Sequence, residues 1–459
     1  MRKNMEDQYI HSSALKLINT LLLCLPFFVC WFNYYESRTM TANSKQSSVL
    51  FLFCYVLGLY MFCTRLDGYR ISIHRIGELI FSQILAVAAT DFFAAIMIWM
   101  LSIHFPNLLP GVYCFLTQCV LTIPIVTISH HYYFRHHRPY KSLVIYDVRQ
   151  GIEELVKTYG LQKRFDVQET CAIEDILENL DKLNEYEVVL MSGVHSHDRN
   201  IILKRCIELD IDVYMIPRVG DVVMSGAERM HMLNLPILRS KRYDPSTEFK
   251  IIKRAFDLVV SGLFIVILSP LFLIVALMVK SDGGPAFYKQ VRLTQNSKVF
   301  NILKFRSMRV DAEKYSGAVL SSGENDPRIT RVGRIIRACR LDELPQLINI
   351  FKGEMSFVGP RPERPEIAAV YEKEMPEFRL RLQAKAGLTG YAQVFGKYNT
   401  TPYDKLLMDL MYIARPSLME DILIMLSTVK ILFVKDSTEG IAVGATDAQD
   451  DSYVPNRRV

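Results

Sequence analysis

Four apolar runs occupy the first third of the chain, at about 15–34, 48–64, 79–101 and 112–129. Each approaches the roughly 20 residues that an α-helix needs to cross a bilayer. Four such runs in succession predict a membrane helix bundle over residues 1–137. The first run lacks a clear small-residue cleavage site and three more follow it, so it is not read as a removable signal. Arg2, Lys3 and Lys16 flank the start, Arg65, Arg70 and Arg75 fall in the second loop, and Arg135, Arg138 and Lys141 follow the fourth run. The first loop has only Arg38 and Lys45, and the third has no basic residue. The positive-inside rule then puts both ends of the bundle in the cytoplasm. Asp91, inside the third run, has either a functional role or a polar partner within the bundle.

Residues 138–245 change character. Short β-branched runs at 143–146, 188–191 and 213–216 alternate with helical patterns at 152–159, 173–183 and 200–209. This alternation predicts a Rossmann-like α/β domain with a parallel sheet. Asp147-Val148-Arg149-Gln150-Gly151 follows the first strand and is not G-x-G-x-x-G, so dinucleotide binding has no support. His195 and His197 read as solvated loop residues without an acidic partner.

A fifth apolar run, 255–279, holds one charge, Asp257, and is flanked by Lys253-Arg254 and Lys280. Ser269-Pro270 interrupts it, and proline removes a backbone donor and clashes with the preceding turn. Cations at both ends and a break in the middle predict a helix pair, 253–280, that enters one leaflet and returns. The rival is a kinked fifth span. The carbonyls freed at the break need partners, since lipid offers none, and the Ser269 hydroxyl is a candidate.

The densest chemistry follows. Arg340-Leu341-Asp342-Glu343-Leu344-Pro345-Gln346 places two adjacent carboxylates before an apolar stripe, with Leu344, Leu347, Ile348 and Phe351 at helical spacing. Asp342 is a candidate N-cap, with Pro345 in the first turn. A helix N-terminus there would keep both acids ionised and welcome anions. An acid in a first turn is by itself an ordinary cap. Its surroundings carry more: Lys304-Phe305-Arg306-Ser307-Met308 and Asp326-Pro327-Arg328-Ile329-Thr330-Arg331-Val332-Gly333 upstream, Met355-Ser356-Phe357-Val358-Gly359-Pro360-Arg361-Pro362 downstream. Two carboxylates among cations in stiff loops fit a phosphorylated substrate with a divalent metal; Mg²⁺ takes one or two carboxylates plus substrate phosphate oxygens. Arg361, between two prolines, offers a preorganised fork for phosphate. Cys339 reads as a small packed thiol rather than a nucleophile. The nine cysteines show no C-x-x-C spacing, which argues against zinc or a disulfide framework. With 54 basic and 48 acidic residues the charge excess is small, and no nucleic-acid motif is present.

Together with Lys253-Arg254-Ala255-Phe256-Asp257, Gly284-Pro285, Tyr288, Gln290, Arg292, Gly387-Leu388-Thr389-Gly390, Gln393, Asp409 and Tyr412, these motifs resemble the bacterial sugar transferase domain of polyprenol-phosphate hexose-1-phosphate transferases, over 253–435. Leu293-Thr294, Arg340 and Ala386 depart from the family's usual residues. The resemblance implies a large family member: a four-helix transmembrane bundle, a scaffold or regulatory α/β middle domain, and an α/β catalytic domain over 246–437 with a re-entrant membrane helix. A tail, 438–459, is expected to lack order. It further implies transfer of hexose-1-phosphate from a UDP-sugar to undecaprenyl phosphate with release of UMP, at the cytoplasmic face of the bacterial inner membrane, as the first membrane step of exopolysaccharide, capsule or O-antigen synthesis. Asp342 is then the nucleophile, Glu343 with Asp342 holds Mg²⁺, Arg361 binds the transferring phosphate, Lys304 and Arg306 shape the pocket, and Arg328 is a further binding candidate. Two alternatives stay open: a glycosyltransferase releasing UDP, whose D-x-D motif is absent, and a non-catalytic membrane scaffold. The transferred hexose and the oligomeric state, with a homodimer as one candidate, stay open too. A stripe at Leu418, Ile422, Met425, Leu426, Val429 and Phe433 fits either the membrane surface or the catalytic core.

Overall fold

A computed structural model describes residues 2–39, 45–102, 104–147, 151–158, 160–232, 234–310, 328–396 and 400–432. Asp326-Pro327, Phe433 and the 438–459 tail lie outside the described residues. The chain divides into two compact units, Met1–Ile216 and Pro217–Val459.

The first unit opens with four long helices, α1 (Arg2–Cys30), α2 (Lys45–Arg65), α3 (Ile76–Leu101) and α4 (Leu109–His136). Four stretches, Ser13–Arg38, Lys45–Arg65, Ile76–Leu101 and Leu109–His136, are long and apolar enough to cross a membrane. Their outward faces stay apolar, with Val49, Phe92, Met100 and Val120 well exposed. Inside the bundle Phe27 stacks on Tyr55 with centroids 3.7 Å apart. Several polar groups there find partners within the bundle, since hydrocarbon offers them nothing. Tyr55 donates to Asp91 Oδ1 at 2.6 Å, and Gln118 Nε2 donates to the Tyr55 hydroxyl at 2.9 Å and the Leu23 carbonyl at 2.8 Å. Asp91 thus has a polar partner within the bundle.

The same unit continues as β1 (Tyr140–Tyr146), α5 (Ile152–Thr158), β2 (Phe165–Ala172), α6 (Ile173–Glu178), β3 (Val188–Ser192), α7 (Ser196–Glu208) and β4 (Asp212–Met215). The strands form one sheet in the order β2-β1-β3-β4, and every pairing is parallel. Parallel sheets are covered on both faces. Leu143, Ile145, Val189 and Met191 pack on one side with Ile176, Leu183 and Ile202, while Val144, Val188 and Leu190 pack on the other with Val156 and Phe165. The expectation for His195 is corrected: its Nδ1 lies 2.5 Å from Asp147 Oδ2, because the carboxyl ends of adjacent β1 and β3 bring the two loops together.

The second unit starts with α8 (Val219–Ser225) and an antiparallel hairpin, β5 (Glu228–Met232) and β6 (Leu235–Arg239). Then come α9 (Thr247–Ile267) and α10 (Ser269–Ser281), bent by 63° at the break. Ser269 Oγ donates to the Val266 carbonyl at 2.7 Å, satisfying one acceptor at the break as the sequence predicts. Beyond Ser261 most side chains are apolar and exposed, among them Leu263, Val266, Ile267, Leu273 and Leu277. The foot of α9, by contrast, is tied down. Lys253 Nζ meets Asp421 Oδ2 at 2.5 Å, and Asp257 Oδ1 accepts from Ser356 Oγ at 3.2 Å and Phe357 N at 3.1 Å.

The core that follows is α/β: β7 (Phe287–Leu293), β8 (Val299–Phe305), α11 (Arg331–Ala338), α12 (Gln346–Lys352), β9 (Ser356–Val358), α13 (Pro365–Glu374), β10 (Gly387–Thr389), α14 (Tyr391–Phe395), α15 (Pro402–Ala414) and α16 (Leu418–Leu432). β7 and β8 form an antiparallel pair, and β9 and β10 a parallel one. On α16 the buried positions are Asp421 and Ile424, whereas Ile422 and Val429 are 40% exposed. The core therefore takes a different face of this helix from the predicted stripe, because Asp421 is drawn inward to Lys253 and Tyr412.

Candidate active site

Strand β8 delivers Lys304, which pairs across the ladder with Tyr288 of β7. Helix α12 is fastened beside that strand by one side chain. Asn349 Oδ1 accepts from Leu303 N at 2.9 Å, and its Nδ2 donates to the Asn301 carbonyl at 2.8 Å. At the far end of α12, Arg254 donates to the carbonyls of Ile350 and Phe351, both at 2.8 Å, which suits a helix C-terminus.

The acid pair precedes this helix differently from the sequence expectation. Asp342 is not its cap: Leu341–Glu343 forms a separate 3₁₀ turn, and α12 begins at Gln346 with Pro345 as its N-cap. Arg340, at φ 55°, starts that turn in the left-handed region, so the chain changes direction between α11 and the acids. The buried face of α12 is Gln346, Leu347, Asn349 and Ile350, while Phe351 is exposed.

This turn gives the two carboxylates different environments. Glu343 Oε1 accepts from Lys304 Nζ at 2.8 Å and faces Arg361 Nη2 at 3.3 Å. Burial alone would raise its pKa, but Lys304 and Arg361 outweigh burial and hold Glu343 well below the usual carboxylate range. Asp342 is buried and has no side-chain hydrogen bond among the described residues. Burial and the neighbouring Glu343 raise its pKa, against the pull of Lys304, Arg337 and Arg340. The expectation that a helix N-terminus ionises both acids alike is thus corrected: the turn sits outside the helix.

Arg361 leaves β9 in the run Gly359-Pro360-Arg361-Pro362. That run lies backbone against backbone on β10: Gly359 N donates to the Thr389 carbonyl and Gly387 N to the Pro360 carbonyl, both at 2.9 Å. A Cβ on Gly359 would fall 2.2 Å from the Lys385 carbonyl oxygen, so only glycine allows this approach. Arg292, Lys304, Glu343, Gln346, Arg361, Pro362 and Gly387 line a common cleft.

Of the predicted site residues, Glu343, Lys304 and Arg361 line the cleft, and Asp342 adjoins Glu343 in the same turn without lining it. Arg306 is placed elsewhere: buried, it donates to the carbonyls of Val279 at 2.9 Å and Pro285 at 3.1 Å, bracing the end of α10. The Arg328 carbonyl accepts from Arg309 N at 3.0 Å ahead of Thr330, the N-cap of α11, and Arg328 does not line the cleft. Cys339 is exposed rather than packed, since it follows the last turn of α11 on the outer side.

Two residues receive no site role from the sequence. Arg292 lines the cleft; its Nη2 donates to Gln290 Oε1 at 2.7 Å, while its buried Nε has no hydrogen-bond partner among the described residues. Burial pulls its pKa down to about 10, with Arg361 and Arg364 acting in the same direction. Arg381 is buried behind the cleft, within 2.6 Å of Asp409 and 3.4 Å of Glu363. The signal for it was Asp409, an acid in an apolar helix that needs a cation.

Glu343 and Asp342 are the groups here that could hold a hard cation. Glu343 engages both of its cationic partners through Oε1, and neither Glu343 Oε2 nor the Asp342 carboxylate takes part in a hydrogen bond among the described residues. No cluster of three or more His, Cys, Asp or Glu suited to a metal occurs among the described residues. A cation here would therefore complete its shell with substrate oxygens, as Mg²⁺ commonly does.

Lys304 and Arg361 around Glu343, with Asp342 next to it in the same turn, make a cation-rich cleft with two carboxylates, in the same unit as a bent apolar helix pair. Comparison with known proteins gives the family. The model of the bacterial sugar transferase family matches residues 248–435. The exopolysaccharide production protein PSS of Rhizobium leguminosarum bv. phaseoli is 40% identical over 188 residues, 39% of this chain and 94% of that protein. The undecaprenyl-phosphate glucose phosphotransferase of Komagataeibacter xylinus is 39% identical over 231 residues, 48% of this chain and 43% of the relative. The UDP-N-acetylgalactosamine-undecaprenyl-phosphate N-acetylgalactosaminephosphotransferase of Aeromonas hydrophila is 35% identical over 234 residues, 50% of this chain and 54% of the relative. The chain spans about half the length of these larger curated relatives. It belongs to the bacterial sugar transferase family.

Proposed function

We propose that this protein transfers a hexose-1-phosphate from a UDP-sugar to undecaprenyl phosphate and releases UMP, through a covalent intermediate on Asp342. The observation that carries the reading is the unequal acid pair: Glu343 is committed to Lys304 and Arg361, while the shielded Asp342 carboxylate has no hydrogen bond among the described residues. In the first step an Asp342 oxygen bonds to the β-phosphorus, the bond from that phosphorus to the UMP oxygen breaks, and UMP leaves. In the second step an oxygen of undecaprenyl phosphate attacks the same phosphorus and the Asp342 carboxylate departs. Arg361 and Arg292 bind phosphate oxygens, and Lys304 orients Glu343. Glu343 with Asp342 would hold Mg²⁺, which supplies charge neutralisation between an anionic nucleophile and an anionic phosphate. Splitting the transfer in two spares the site from binding a soluble and a lipid substrate together.

The site's surroundings support the membrane part of this reading. Lys253 and Asp257 anchor the start of α9 to the core and Arg306 anchors the end of α10, so the apolar pair leaves one body and returns to it. We read it as a re-entrant hairpin in one leaflet, with the catalytic unit on the cytoplasmic side of the inner membrane and the first four helices spanning it. The parallel sheet of the first unit is read as a Rossmann-like scaffold or regulatory domain.

The test is a single turnover. Enzyme, Mg²⁺ and UDP-sugar, without lipid acceptor, should release UMP up to one equivalent per active site and leave sugar and phosphorus labels on the protein that hydroxylamine removes. Release of UDP would mean a glycosyltransferase. UMP appearing only with lipid present, with intersecting kinetic lines, would take the nucleophile role from Asp342. No nucleotide release at all would leave a scaffold.

A further inference from the structure

Residues 328–341 hold arginines at 328, 331, 334, 337 and 340, one every third residue, and no acid. Most of that segment is α11. Its inner face is apolar: Ile336, with Val332 beside it, packs on Val275 and Val279 of α10 and on Phe305. Its outer face carries Arg331 and Arg334, both exposed, together with Ile335, which is 56% exposed. None of the ion pairs formed among the described residues involves Arg331, Arg334 or Arg340. Unpaired cations around an exposed isoleucine do little for a helix in water. Together they suit the headgroup layer, where an apolar side chain dips inward and arginines reach outward to phosphates.

Position within the unit agrees. α11 packs against Val275 and Val279, in the returning half of the apolar pair, whose other face exposes Leu273, Ile274 and Leu277. If that pair enters the bilayer, as proposed above and on which this inference rests, α11 is held beside the stretch that leaves it, at headgroup depth. We propose that α11 is a seat for anionic lipid headgroups: Arg331 and Arg334 bind the acidic phospholipids of the bilayer itself, and this contact sets the catalytic unit against the membrane. Two arginines near a charged leaflet bias docking without fixing it irreversibly.

Hydrogen exchange of the full chain in nanodiscs tests this without substrate or acceptor. Discs of phosphatidylcholine alone are compared with discs that also contain phosphatidylglycerol. Amides of 331–338 should exchange several-fold more slowly in the anionic discs, and high salt should abolish the difference, because exposed charges are screened. R331Q/R334Q should exchange alike in both discs while its thermal unfolding matches the parent's. Amides of 258–278 should be protected in both compositions. If they are protected and 331–338 is indifferent to lipid charge, the lipid seat is overturned and the hairpin reading stands. If 258–278 exchanges freely in both discs, the hairpin reading and this inference fall together. A lipid-charge effect that persists in R331Q/R334Q also overturns the assignment to these two arginines.

Discussion

Arg381 Nη2 donates to the main-chain carbonyl of Arg361 at 2.9 Å while the same guanidinium faces the Asp409 carboxylate at 2.6 Å. A buried ion pair is thus coupled to the backbone of the residue that faces Glu343. The loop carrying Arg361 is held from behind by this group and from the side by β10, with Gly359 and Gly387 in close contact.

Arg381→Met should therefore strand Asp409 as an uncompensated buried acid, at a cost of roughly 3–5 kcal/mol. Asp409→Asn in the same chain should recover part of that loss. Arg381→Lys keeps the charge but cannot reach three acceptors in fixed geometry. It should lower kcat/KM by more than its modest drop in Tm explains. Equal stability of Arg381→Met and the parent would sink the argument.

Asp342→Asn preserves shape and removes the charged nucleophile, so turnover should fall by orders of magnitude. Activity above about a tenth of the parent, a barrier change under about 1.4 kcal/mol, would rule out the covalent role. The acid limb gives a second check. Burial and Glu343 raise the Asp342 pKa, so on acidification single-turnover UMP release should fail at a pH above the ordinary aspartate value of about 3.9.

Glu343 has the opposite sign. Lys304 and Arg361 overcome its burial and depress its pKa, so the stabilisation it gives is complete above the unfolded glutamate value, about 4.3, and is lost as pH falls toward the depressed folded value. Glu343→Gln should consequently unfold at a lower temperature than the parent at pH 7, and the gap should close as the pH is taken below about 4.3. A gap unchanged across that window would mean that the carboxylate's charge is not what holds Lys304 and Arg361.

Arg292 shares a cleft with Arg361 and carries a buried Nε with no hydrogen-bond partner among the described residues. Arg292→Met should raise KM for the UDP-sugar and lower kcat/KM by about 10- to 100-fold, the scale of losing one charged hydrogen bond. KM for the lipid acceptor should change less. An equal effect on both substrates would argue for a structural role.

Much of this was legible in the sequence, and the failures have causes. Run length and hydropathy located the four long helices, and strand–helix alternation located the parallel sheet, because both signals are local. The grouping of Lys304 and Arg361 with the acids was legible because charge among Gly and Pro has few structural uses. The helix cap was misread because one residue, Arg340 at φ 55°, diverts the chain before the helix begins. Arg306 was misread because a carbonyl acceptor such as that of Val279 leaves no mark in sequence. Arg381 was missed because its partners, Arg361 and Asp409, lie 20 and 28 residues away along the chain.

The bent pair makes a prediction about topology. α9 and α10 meet at 63°, with Pro270 in the first turn of α10 and the Ser269 hydroxyl capping the Val266 carbonyl. A continuous helix from Lys253 to Lys280 would be long enough to span a bilayer, so the break is what opposes spanning. In a background without native cysteines, single cysteines placed just before Lys253 and just after Lys280 should both react only from the cytoplasmic side. Pro270→Leu restores a backbone donor and relieves the clash with the preceding turn. It should allow a fraction of chains to straighten, with the cysteine after Lys280 becoming reactive from outside and activity falling in the same proportion. External labelling of that position in the parent protein would instead make the pair a fifth span and place Asp342 on the far side of the membrane from a cytoplasmic donor. Internal labelling in both proteins would show that the contacts of Lys253, Asp257 and Arg306 with the core hold the hairpin without help from the proline.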